Sequence, residues 1–139
     1  MAEATKKILI VEDEVLLVKT LSERFIEDGY QVLTAGDGEL GLQMALKEEP
    51  DLILLDIVLP KLDGMAMLKE LREANTWSKQ VPVILLTNLN VDDAMIDAIT
   101  RDKPAYYLVK TDWTMDQIAE KVKERLDRVV QDAEAAAKV

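Results

Sequence analysis

The chain contains no cysteine and no histidine. Without cysteine there are no disulfides and no thiolate metal sites, and without histidine the commonest metal ligand and acid–base side chain is gone. Any bound metal is therefore expected to be a hard cation held by oxygen. No apolar run approaches the eighteen or so residues that read as a membrane-spanning helix. The opening residues, Met1 to Lys7, run into a short apolar stretch bounded by acids and do not read as a secretory signal, so a cytoplasmic location is expected. A basic surface is missing too: 17 Lys and Arg stand against 27 Asp and Glu, a net charge of −10. That balance speaks against nucleic-acid binding through phosphate contacts.

What is present is an ordinary globular composition, 49% hydrophobic and 32% charged over 139 residues, which is the size of one domain. Short apolar runs recur at Ile8–Val11, Leu52–Leu55, Val83–Leu86 and Tyr106–Val109, with a weaker one at Gln31–Thr34. They are too short for helices and too continuously apolar for half-exposed strands, so buried parallel strands fit them. Helical stripes lie between them. The first carries Val15, Leu16, Val18, Leu21, Phe25 and Ile26; the second Leu40, Leu42, Met44, Ala45 and Leu46; the third Met65, Leu68 and Leu71. The fourth carries Val91, Met95, Ile96 and Ile99, and the fifth Ile118, Val122, Leu126, Val129 and Val130 after a start near Trp113 capped by Thr111 or Asp112. Five strand–helix repeats imply right-handed crossovers and an α/β fold, a doubly wound parallel sheet covered by helices on both faces.

The polar residues that follow the strands carry the chemistry. The first strand is followed by Glu12 and Asp13, the third by Asp56, the fourth by Thr87 and the fifth by Lys110. In an open parallel sheet, ligands bind outside the carboxyl ends of the strands where the strand order reverses. Taken singly, Glu12 or Asp13 is an ordinary helix cap, Thr87 a turn hydroxyl and Lys110 a solvated lysine. Together at one edge they make a site. Asp13 and Asp56 would repel each other unless a cation intervened, and Mg²⁺ accepts one or two carboxylates, waters and an incoming phosphate. A carboxylate so placed can act as a nucleophile toward phosphorus. Lys110 offers a point charge and Thr87 a hydroxyl donor to phosphoryl oxygens.

These residues resemble the receiver domain of two-component response regulators, of the single-domain chemotaxis-regulator type. The matching pieces are Ile8–Glu14, Asp51–Gly64, Val81–Thr87 and Tyr107–Lys110, within roughly residues 6 to 127. The resemblance implies a flavodoxin-like strand order of 2-1-3-4-5 with five helices. It implies that Asp56 accepts a phosphoryl group from a histidine kinase or phosphotransfer protein. Mg²⁺ would be bound by Asp13, Asp56 and the Val58 carbonyl, with Glu12 acting through water. Thr87 and Lys110 would hold the phosphoryl oxygens, and Tyr107 would follow Thr87 as the switch. Such a chain would catalyse its own phosphorylation and dephosphorylation while acting primarily as a signalling protein toward a downstream protein target. It departs from the family where Asn88 replaces a small residue and where Thr111 replaces proline after Lys110. Without proline a cis peptide costs about 2.5–4 kcal/mol, so a trans bond is expected there.

The receiver is expected over residues 1–130, with 131–139 extending the last helix. An apolar stripe running beyond the sheet suggests a partner helix, and so a homodimer. A flavodoxin-type cofactor binder would need a glycine- or hydroxyl-rich loop after the first strand, where Glu12-Asp13-Glu14 stands instead. A haloacid-dehalogenase-like phosphatase would place a second Asp where this chain has Val58. The remaining alternative is a receiver fold that docks partners independently of phosphorylation.

Overall fold

In the computed structural model, residues 5–88 and 106–137 are described; for Thr87, Tyr106, Tyr107, Thr111 and residues 128–137 the description covers the backbone alone. The strands are β1 (Lys7–Val11), β2 (Gln31–Ala35), β3 (Leu52–Leu55), β4 (Val83–Thr87) and β5 (Tyr106–Val109). The helices are α1 (Val15–Glu27), α2 (Gly38–Glu48), α3 (Gly64–Ala74) and α4 (Met115–Ala137). The stripe of Val91, Met95, Ile96 and Ile99 lies outside the described residues.

The five strands form one sheet in the order β2-β1-β3-β4-β5, every pair parallel. Successive side chains of a strand point to opposite faces, so each apolar run feeds two layers. Ile8, Ile10, Leu52, Leu54, Ile84, Leu86 and Leu108 pack with Leu21 and Phe25 of α1 and with Ile118, Val122 and Leu126 of α4. Leu9, Val11, Ile53, Leu55, Val83 and Leu85 pack with Ala45 of α2 and with Met67, Leu68 and Leu71 of α3. Because β1 has β2 on one side and β3 on the other, the order reverses there. The crevice outside the ends of β1 and β3 is thus the place where this topology puts a ligand.

Three local expectations are corrected. Val15, Leu16 and Ile26 are 82%, 72% and 61% exposed and do not join the core stripe of α1. At 3.6 residues per turn they fall about 120–140° around the axis from Leu21, whereas Leu17 and Phe25 fall about 40° to either side of it. In α2, Leu40 is likewise exposed, and Gly41 and Ala45 face the sheet. The start of α4 is capped by neither Thr111 nor Asp112, which lie in a 3₁₀ turn over Lys110–Asp112. Thr114 does the capping. Its hydroxyl accepts from the Gln117 N–H at 3.1 Å while its own N–H donates to Gln117 Oε1 at 2.9 Å, a reciprocal capping box. From there α4 runs to Ala137, about 35 Å at 1.5 Å per residue. No described helix is long and apolar enough to cross a membrane, and no peptide bond among the described residues is cis.

Candidate functional site

The strand ends are tied together one residue beyond the sheet. The Glu12 N–H donates to the Ala35 carbonyl and the Asp56 N–H to the Val11 carbonyl, both at 3.0 Å. These bonds continue the β1–β2 and β1–β3 ladders, so the side chains that follow Val11 and Leu55 start from fixed positions. On the far side, Thr87 pairs with Val109, which brings Lys110 and Asn88 to the same edge.

Glu12 is 4% and Asp56 7% exposed, both unusual for carboxylates. Their common partner is Lys110, whose Nζ donates to Glu12 Oε1 at 2.5 Å and to Asp56 Oδ2 at 3.1 Å. Asp56 Oδ1 also accepts a long bond, 3.4 Å, from the Val58 N–H. Glu12 Oε2 is buried with no hydrogen-bond partner. Carboxylate oxygens of Glu12, Asp13 and Asp56 lie within 4.8 Å of one another, close enough to hold a metal ion. The cluster opens into a cleft of about 280 Å³ lined by these three acids with Glu14, Val58, Asn88 and Lys110.

Burial and crowding set the protonation of this cluster. Burial pushes the Glu12 carboxyl up to about 8, and the neighbouring Asp56 carboxylate pushes the same way. For Asp56 burial acts upward, but the neighbouring Glu12 carboxyl and the Lys110 charge outweigh it and hold the group below its ordinary value. The Lys110 ammonium is likewise held above its ordinary value, because burial is outweighed by its bonds to Glu12 and Asp56. Two neighbouring carboxyls pushed apart in this way share one proton near neutral pH.

A stability consequence follows for the metal-free chain. Between about pH 5 and 8 folded Glu12 keeps a proton that the unfolded chain releases near 4.5. The native state then binds the extra proton, so stability falls as pH rises through that window, by at most about 1.4 kcal/mol per pH unit. Asp56, depressed, loses its contribution only below that window, and Lys110, raised, only above it. In chelator-treated protein the melting temperature should fall from pH 5.5 to 8.5, and Glu12→Gln should flatten that slope. Equal slopes for the two proteins would remove Glu12 as its source.

Of the residues expected at the site, Glu12, Asp13, Asp56, Val58 and Lys110 line one cleft. Thr87 and Tyr107 are placed by strand register alone, at the end of β4 and within β5, and their side chains lie outside the described residues. Sequence reasoning missed a contact. Glu14 reaches Lys110 at 3.9 Å, and the only hint of it was a third consecutive acid.

A sequence model of the response regulator receiver domain matches residues 8–123. The chain belongs to the response regulator receiver domain family. Among curated relatives, this receiver is 46% identical over 82 residues to the alkaline phosphatase synthesis transcriptional regulatory protein PhoP of Bacillus subtilis, covering 59% of this chain and 33% of that protein. It is 37% identical over 128 residues to the transcriptional activator protein PfeR of Pseudomonas aeruginosa, covering 88% of this chain and 40% of PfeR. The chain spans about a third of the length of the first of these relatives. Among solved structures, the receiver domain of Francisella response regulator 1452 superposes with a TM-score of 0.79 at 27% identity, covering 90% of this chain and 99% of that one. A CheY-like receiver from Methanospirillum hungatei gives 0.84 at 24% identity, over 93% and 99% of the two chains, and speaks to the fold alone.

Proposed function

We propose that this receiver is a phosphorylation-activated signalling switch that accepts a phosphoryl group on Asp56 from a histidine kinase or phosphotransfer protein and signals by protein contact. The observation that carries the reading is the setting of Asp56. It is a buried carboxylate held in its charged form beside a lysine, yet it lines a cleft open to solvent. An Asp56 oxygen would form the new bond to phosphorus as the bond from phosphorus to the donor's imidazole nitrogen breaks, its electron pair leaving with the imidazole. Lys110 and Thr87 would meet the charge spread over the phosphoryl oxygens, and Tyr107 would follow Thr87 as the switch.

The donor set suits Mg²⁺. It consists of close carboxylates, with no histidine or cysteine anywhere in the sequence, and one buried carboxylate oxygen has no partner. Asp13, Asp56 and the Val58 carbonyl would hold the ion, with Glu12 acting through water. Once bound, it would neutralise the acid cluster and the incoming phosphoryl charge. The test is incubation with Mg²⁺ and acetyl phosphate followed by intact-mass measurement. A gain of one phosphoryl group that needs Mg²⁺ supports the reading. An unchanged mass leaves a receiver fold that docks partners without being phosphorylated.

We further propose residues 1–130 as the receiver and 131–139 as an extension of α4 through which two copies associate. Sedimentation of the whole chain against one ending at Asp127 checks this. Identical monomers at micromolar concentrations would remove the dimer.

A further inference from the structure

Glu14 sits at the N-cap of α1, where a short polar side chain such as Asp or Ser ordinarily accepts a hydrogen bond from the first turn. It makes no such bond. Instead its Oε2 lies 3.9 Å from Lys110 Nζ, although the side chain is 59% exposed. It lines the cleft over Asp56 together with Asn88. Lys110 thus faces three carboxylates, of Glu12, Asp56 and Glu14, and two of them are buried. Glu14 stands apart from the cluster of Glu12, Asp13 and Asp56 whose oxygens could share a metal. It is a largely exposed carboxylate in the lining of the cleft that a donor to Asp56 would enter.

We infer that Glu14 sets donor preference, its carboxylate in the cleft lining disfavouring phosphodonors whose leaving group departs as an anion and favouring those whose departing atom is cationic in the donor. The inference rests on Asp56 as the acceptor. Two small donors differ in this one respect. In acetyl phosphate, Asp56 forms the phosphorus–oxygen bond as the bond to the bridging oxygen breaks, and acetate departs with the electron pair and a negative charge. In phosphoramidate the phosphorus–nitrogen bond breaks. Its nitrogen is already protonated, so ammonia departs with the electron pair. A fixed negative charge in the cleft opposes the negative charge that grows on acetate, and attracts the phosphoramidate nitrogen, which is cationic in the donor and still partly so as its bond breaks.

The test compares the wild-type chain with Glu14→Gln and Glu14→Asp in Mg²⁺, following intact mass over time with each donor. Glu14→Gln should raise the ratio of the acetyl phosphate rate to the phosphoramidate rate by about three- to tenfold, the size a partly exposed charge a few ångströms away can supply. Glu14→Asp, which keeps the charge, should retain most of the wild-type preference. Added salt should shrink the difference between wild type and Glu14→Gln, since exposed charges are screened. A change in Mg²⁺ affinity, read by calorimetric titration without donor, acts on both donors alike and cancels in the ratio, so a general loss of negative potential at the metal cluster would leave the ratio unchanged. An unchanged donor ratio overturns the inference while leaving Asp56 as acceptor. Labelling that survives in an Asp56→Asn, Glu14→Gln double variant overturns the acceptor assignment and this inference with it.

Discussion

Asp56→Asn should take up no phosphoryl group from acetyl phosphate and Mg²⁺, while the wild-type chain gains one. The loss should be complete within detection, because asparagine removes the nucleophilic oxygen charge and not merely a contact. The substitution is nearly isosteric, and the domain should stay folded. In chelator it should lose some stability, since the folded state holds the Asp56 carboxylate in its charged form beside Lys110 and an amide gives up that charge. The same variant loses one possible Mg²⁺ ligand, so the ion should raise its melting temperature less than it raises that of wild type. Intact mass and thermal unfolding, each with and without Mg²⁺, read both effects. Wild-type labelling in the variant would place the acceptor elsewhere.

Gly64→Ala should cost about 3 kcal/mol or more, a large share of the 5–15 kcal/mol that holds an ordinary domain together. A β-carbon at Gly64 would stand 2.0 Å from the Asp56 carbonyl oxygen and 2.8 Å from the Ile57 Cα. Those are backbone atoms, and they cannot swing away as a side chain could. The Gly64 N–H donates to the Ile57 carbonyl at 2.7 Å, so the first turn of α3 is drawn against the segment that carries Asp56. Relief of the clash must move either α3 or Asp56. The melting temperature should fall by about 10 °C, and labelling of whatever remains folded should slow. Gly36→Ala is the control, because nothing lies within 4 Å of a β-carbon there. If both substitutions cost the same, the close approach at Gly64 does not matter.

The middle of the sheet could be read from sequence because β1, β3 and β4 are buried on both faces, which turns each into an apolar run such as Leu52–Leu55, whereas the edge strand β2 is partly exposed and reads more weakly. The facing of α1 was harder to read. Val15, Leu16 and Ile26 are apolar and helically spaced, yet which arc meets the sheet is fixed by Leu21 and Phe25, and periodicity alone does not rank them. The start of α4 was read too early because Thr111 and Asp112 are both good caps. The reciprocal Thr114–Gln117 spacing was the better signal. At the site, Glu12, Asp13, Asp56 and Lys110 were legible as polar residues ending apolar strands. Which acid Lys110 binds was not, because it depends on distances between chain segments 98 and 54 residues apart. Glu14 was hidden for the same reason.

Lys110 follows β5, Asp56 follows β3 and Glu12 follows β1, so one ammonium joins the edge strand β5 to the neighbouring pair β3 and β1 on the far side of β4. In mechanical terms it is a clasp thrown over β4, fastening the outermost strand to the middle of the sheet. An anion that took hold of the ammonium would compete with Glu12 and Asp56 for it, and the filling of a small cleft would then bear on the fastening of an outer rim of the molecule.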